Sequence, residues 1–338
     1  MNTPVVPLRD LAPEAALRRL ELLVMHRVDG LLHGDHLGLF PGPGSEFADA
    51  RPYLPGQDDP RHIDWNVTAR TGDVHVRDVT ADRELETWAL VDASASMDFG
   101  TATMEKRDLA AAAAVALGRL AQRCGDRFGA YVLSPGGVRA SASTNGRAHL
   151  LAVLRGLAHA DRVPPRAAVP DLAEGLTALA RHRRRGLRVV VSDFLDPAGT
   201  SSGPPRWAEP MRRLAAHHRV LAVEVLDPRE LELPAMGLLS LVDPETGRVR
   251  EVDTSSRRLR RRFAEASAGH RTTVAATLRS AGAAHLVLRT DRDWVRDLAA
   301  FTVRQRRLTR LTPALRSTRP AAPVAALAPV PGAGGDGR

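Results

Sequence analysis

The sequence is poor in cysteine, lysine and aromatic residues. Cys124 is the only cysteine in 338 residues, so no disulfide can form within the chain, and a reducing compartment fits this usage. It stands where a helix is expected to end, before Gly125, and without a cysteine-hydrolase signature nearby it reads as a small buried hydrophobe. Lys106 is the only lysine, and every other basic residue is arginine. Aromatic residues make up 4% of the chain, so aliphatic side chains and alanine must fill the core. The longest clean apolar run, Leu109 to Leu117, falls far short of the ~20 residues that cross a bilayer. The first residues also lack a charged stretch followed by an apolar one. These features predict a cytoplasmic chain without a membrane anchor. No G-x-x-x-x-G-K-[ST] loop or H-E-x-x-H helix occurs, which excludes the P-loop and zincin chemistries built on them.

What is present is 43% hydrophobic and 26% charged residues with a net charge of +9, the composition of an ordinary globular protein. The excess charge is arginine scattered among alanines. Its densest run, Arg257, Arg258, Arg260, Arg261 and Arg262, opens an expected helix, and Arg304, Arg306, Arg307 and Arg310 follow. No aromatics interleave with them to stack bases, so a solvated face is favoured over a nucleic-acid groove. His33-Gly34-Asp35-His36 reads as turn chemistry, and His217 and His218 as the end of a helix whose dipole favours them.

Hydrophobic periodicity predicts an amphipathic helix over Pro13 to Leu32, followed by a Gly/Pro-rich loop from Gly38 to Gly44. From Thr87 onward short apolar runs alternate with helical stretches. Strands are expected at Thr87 to Val91, Phe128 to Leu133, Leu187 to Val191, Val220 to Val225 and His285 to Leu288. Helices are expected at Lys106 to Cys124, Arg147 to His159, Leu172 to Arg184, Trp207 to His217 and Asp293 to about Arg306. The alternation implies an α/β fold with a doubly wound, mostly parallel sheet, whose ligands lie beyond the carboxyl ends of the strands. Leu238 to Val252, with turn residues Asp243-Pro244-Glu245-Thr246-Gly247, reads as a β-hairpin insertion. The expected division is an amino-terminal segment over 1–85, the α/β domain over 86–305, and a basic then Pro/Ala/Gly-rich disordered tail over 306–338.

Asp92-Ala93-Ser94-Ala95-Ser96 follows the strand ending in Val91, presenting one carboxylate and two hydroxyls at alternate positions. Hard cations such as Mg²⁺ or Mn²⁺ take such oxygen donors, commonly with one or two carboxylates and several waters. Asp193 follows the apolar run Val189-Val190-Val191, so it too emerges at a strand end. Two neighbouring strand ends would bring both acids to one crevice.

D-x-S-x-S after one strand and an Asp after a later one resemble the metal-ion-dependent adhesion site of von Willebrand factor A domains. That family adds a threonine in T-[DN]-L. Here Pro170-Asp171-Leu172 occupies the place, and proline has no side-chain oxygen, so Asp171 is the substitute candidate. The resemblance therefore implies one ion held by Asp92, Ser94, Ser96, Asp193 and Asp171. Arg51-Pro52-Tyr53, then Pro55-Gly56-Gln57-Asp58-Asp59-Pro60-Arg61-His62-Ile63-Asp64-Trp65 and Thr68-Ala69-Arg70, are similar to the signature of the bacterial "domain of unknown function 58" family. Leu233-Pro234 and Asp243-Pro244-Glu245-Thr246-Gly247 also match it. Arg51, Asp58, Asp59, Arg61, Asp64 and Arg70 are expected to form a charged network tying this segment to the sheet, with Trp65 as a packing anchor. Many members of the family carry amino-terminal membrane helices, which this sequence lacks. The resemblance implies a metal-dependent protein-binding module that takes an acidic residue of a partner and acts with a MoxR-type AAA+ ATPase in assembly or chaperone-like work. The alternatives are a metal-dependent phosphoester hydrolase, which wants a base that the sequence does not offer, and nucleic-acid binding, which would weaken steeply with salt.

Overall fold

The computed structural model describes residues 13–27, 50–54, 60, 63–77, 86–160, 162, 170–184, 186–196, 203–243 and 247–311. Its centre is a six-stranded sheet. In chain order the strands are β3 (Glu86–Asp92), β4 (Arg127–Ser134), β5 (Gly137–Thr144), β6 (Leu187–Ser192), β7 (Arg219–Leu226) and β10 (Ala284–Arg289), arranged β10-β7-β6-β3-β4-β5. All neighbours are parallel except the edge pair β4 and β5. The chain leaves β3 toward β4 and returns on its other side as β6, so the winding reverses between β3 and β6. That gap is where a doubly wound sheet opens a crevice.

β6 is buried at every position, as expected of a parallel strand covered on both faces. One face carries α1 (Pro13–Leu22, continuing as a π turn over Leu23–Arg27), α3 (Lys106–Arg123), α4 (Arg147–Ala158) and α9 (Trp294–Leu311). The other carries α5 (Leu172–Leu179), α6 (Ala208–His217) and the end of α8 (Arg257–Ser280). With few aromatics available, α3 fills the first core with small residues: Leu109 to Leu117 is fully or almost fully buried. Gly118 continues this close approach, since a Cβ there would lie 2.8 Å from the Phe128 ring.

Outside the main sheet, β1 (Ala50–Pro52) pairs antiparallel with β2 (His75–Arg77), and α2 (Trp65–Thr71) lies between them. Asp64 caps α2, accepting from the amides of Asn66 and Val67 at 3.0 and 3.2 Å. The anticipated hairpin is present as β8 (Leu238–Val242) and β9 (Val249–Asp253), reached from β7 through α7 (Pro228–Leu231).

Several expectations are corrected. Strand β5 was not anticipated, because Val138, Ala140 and Ala142 make a weak apolar alternation of small residues. The helix beginning at Leu172 ends at Leu179 rather than Arg184. The buried guanidinium of Arg188 holds the carbonyls of His182 and Arg184, which draws that segment out of helical geometry. The final helix runs to Leu311. Cys124 is exposed, since it caps α3 where the chain turns outward at Gly125 with φ 86°. Trp65 is 70% exposed, because it opens a short helix that buries none of its residues. Arg70 is exposed too. The side chain of Arg51, and Asp58, Asp59 and Arg61, lie outside the described residues, as do 28–32, the Gly38 to Gly44 loop, His33 to His36 and 312–338.

Candidate functional site

Val91 and Val191 are register partners in β3 and β6, so Asp92 and Ser192 end adjacent strands side by side. Ser192 Oγ donates to Asp92 Oδ2 at 2.7 Å, and Oδ1 accepts the Ser94 amide at 2.9 Å. The chain then turns into a 3₁₀ segment, Ala95–Asp98, which brings Ser94 Oγ and Ser96 Oγ to 3.1 Å. Ser96 also lies close enough to Asp193 to help lower that carboxyl. Four of the five residues expected from the sequence, Asp92, Ser94, Ser96 and Asp193, therefore meet in one crevice.

Asp193 is set by an unusual turn. Phe194 has φ 56°, a left-handed conformation that is costly for a bulky side chain. It is retained because its amide donates to Ser192 Oγ at 2.9 Å while its ring packs edge-on to Trp207 at 5.2 Å. This turn aims Asp193 inward and leaves Leu195 45% exposed; Phe99, in the loop after β3, is 38% exposed.

The fifth residue, Asp171, is engaged elsewhere. It caps α5 through the Glu174 amide at 2.9 Å and pairs with Arg206 at 3.2 Å. It lines a shallow surface pocket with Tyr131, Glu174 and Arg181.

Sequence reading missed the cation in the crevice. Lys106, the first residue of α3, is fully buried, and its ammonium donates to Asp193 Oδ2 at 2.8 Å and Glu230 Oε1 at 2.5 Å. Glu230 lies on α7, where its other oxygen accepts the Asp227 amide at 3.0 Å. Asp227 in turn accepts from Thr101 N and Oγ1 at 2.8 and 2.6 Å, Thr290 Oγ1 at 2.7 Å and Arg229 N at 2.9 Å. The loops after β3, β6, β7 and β10 are thus joined through one polar network. The only sequence hint was Lys106 itself, the sole lysine among so many arginines.

Electrostatics follow from burial and neighbours. Burial, then the charge of Asp193, raises the Asp92 carboxyl above the usual range against the bonds from Ser192 and Ser94. Burial, the largest single influence, would raise Asp193 as well, but Lys106 together with Ser96 and the Leu195 amide holds that carboxyl low. Burial disfavours the Lys106 ammonium, yet Asp193 and Glu230 together keep it charged. Glu230 is raised by burial despite its bond to Lys106.

The donor set suits a hard divalent ion. Cis oxygens on an octahedral ion at roughly 2.1 Å sit about 3 Å apart, which the two serine hydroxyls already match at 3.1 Å. Asp193 and Glu230 share the Lys106 ammonium, while the Asp92 oxygens accept from Ser192 and Ser94. Among the described residues no cluster of three or more His, Cys, Asp or Glu with metal-site geometry occurs, so the hydroxyls are essential to such a site. Among these residues, too, no helix is long and apolar enough to cross a membrane.

The chain is similar to uncharacterised proteins of Mycobacterium tuberculosis (strain H37Rv) and Mycobacterium bovis, each 51% identical over 294 residues, covering 87% of this chain and 90% of the relative. In shape it is similar to BatB from Bacteroides thetaiotaomicron, with 13% identity, 66% of this chain and 99% of that one covered, and a TM-score of 0.37. It is also similar to the VWA domain of SpRpn10, with 12% identity, 64% and 94% covered, and a TM-score of 0.34. The model of the family described as "protein of unknown function DUF58" matches residues 49–273. By that match and by its identity to relatives covered over 90% of their length, the chain belongs to the DUF58 family, and its central sheet is doubly wound.

Proposed function

We propose that the crevice is a metal-dependent protein-binding site holding one Mg²⁺ or Mn²⁺ through Ser94, Ser96, Asp92 and Asp193. The observation that carries this reading is the pair of hydroxyls 3.1 Å apart between two buried carboxylates at adjacent strand ends. Ser192 orients Asp92, and the turn at Phe194 orients Asp193. Pro170 withholds the further oxygen that the resemblance calls for, so affinity is expected to be weak. The bound ion would supply a positive charge for an acidic side chain of a partner. Phe99 and Leu195 would give that partner apolar contact.

The family resemblance makes a MoxR-type AAA+ ATPase the first partner to try. Mn²⁺ titration calorimetry on wild type and Asp92→Asn, followed by pull-down of that ATPase with and without EDTA, tests both parts. Asp92→Asn is expected to weaken Mn²⁺ binding at least tenfold with its circular dichroism unchanged, and EDTA to release the partner. Equal heats from the two proteins would remove Asp92 from the site, and EDTA-insensitive capture would sink the metal-bridged contact.

A further inference from the structure

Lys106 has the surroundings of a counter-ion rather than of a packing residue. Taking an ammonium out of water is expensive, and an apolar side chain of similar length would fill the same space without that cost. A lysine with a path to solvent keeps its head in water, whereas this one is fully buried. Its acceptors are fixed independently of it: Asp193 Oδ1 accepts the Leu195 amide at 3.1 Å, and Glu230 Oε2 the Asp227 amide at 3.0 Å. The ammonium therefore sits in a rigid carboxylate cradle one side of which, Asp193, is also part of the proposed metal site.

We propose that Lys106 is a built-in competitor for the metal's carboxylate: it neutralises Asp193 in the metal-free protein and lowers the affinity for a divalent cation. This rests on the metal reading above. Like charges in a buried crevice repel far more than in water, and an Asp193 oxygen bonded to Lys106 is withdrawn from an incoming ion. Lys106 thus acts as a positioning residue, holding the four strand-end loops together without metal. Glu230 draws the ammonium partly away from Asp193, which moderates the competition.

Mn²⁺ alone is the probe, with free ion followed by electron paramagnetic resonance and folding by circular dichroism. Lys106→Met and Lys106→Gln, the latter keeping a hydrogen-bond donor without the charge, are each expected to bind Mn²⁺ at least tenfold more tightly than wild type. Glu230→Gln, which leaves the ammonium to Asp193, is expected to bind at least threefold more weakly. Adding Asp92→Asn to Lys106→Met should abolish the gain, locating the ion in this crevice. A merely structural role for Lys106 would give weaker or unchanged binding when it is replaced. Wild-type binding left unchanged in both lysine variants overturns the competitor but leaves the metal reading standing. No binding by wild type or any variant overturns both. Binding by the lysine variants alone supports the competitor and overturns the metal reading for the wild-type chain. Should neither lysine variant fold, Glu230→Gln decides, and affinity equal to or above wild type overturns the proposal.

Discussion

Asp108 shows how a single half-buried acid can shape stability against pH. It lies in the first turn of α3, where its Oδ2 accepts the Glu105 amide at 3.4 Å. Burial, and next the charge of Glu105, pushes its carboxyl up to about 6, against roughly 3.9 in an unfolded chain. Between those values the folded state holds more proton than the unfolded one. This group's contribution to stability is therefore fully present below about pH 4, declines as pH rises to about 6 and is flat beyond. Asp108→Asn keeps the acceptor oxygen without the charge. The variant is expected to gain stability relative to wild type as pH rises from 4 to 7, as measured by urea unfolding at several pH values. A difference between the two proteins that does not change with pH would refute the assignment.

At the scale of elements, α3 depends on small side chains for its place against the sheet. Gly118→Ala would set a methyl group 2.8 Å from the Phe128 ring, and such overpacking costs about 1–3 kcal/mol. The urea midpoint should fall while the slope stays the same, and an unshifted midpoint would show that the ring yields freely. The legibility of each element in the sequence follows from the range of the forces that fix it. β3, β6 and β7 were readable because strands covered on both faces must be apolar throughout. Asp92, Ser94, Ser96 and Asp193 were readable because they follow such runs directly. What ends α5 was not readable, because it is the distant guanidinium of Arg188. Ser192 bonds a residue 100 positions away, and Lys106 bonds residues 87 and 124 positions away, so neither role leaves a local pattern. Asp171 carries a related ambiguity: its short motif equally suits a helix cap, and it caps α5.

Over the whole molecule, a chain of net charge +9 places an acidic crevice where its sheet reverses direction, with an ammonium at the centre of the network that joins the loops. Since Lys106 is the only lysine and is fully buried, the folded chain offers no side-chain amine to acylation or to isopeptide-forming enzymes. The same feature makes the protein its own unfolding reporter. An amine-reactive reagent should modify Lys106 only when the crevice opens, at least about a thousandfold more slowly than in the urea-unfolded chain if opening requires most of the global unfolding free energy. Mass spectrometry of the modified peptide over time would measure this, and fast labelling in native buffer would show that the four loops part while the sheet stays intact.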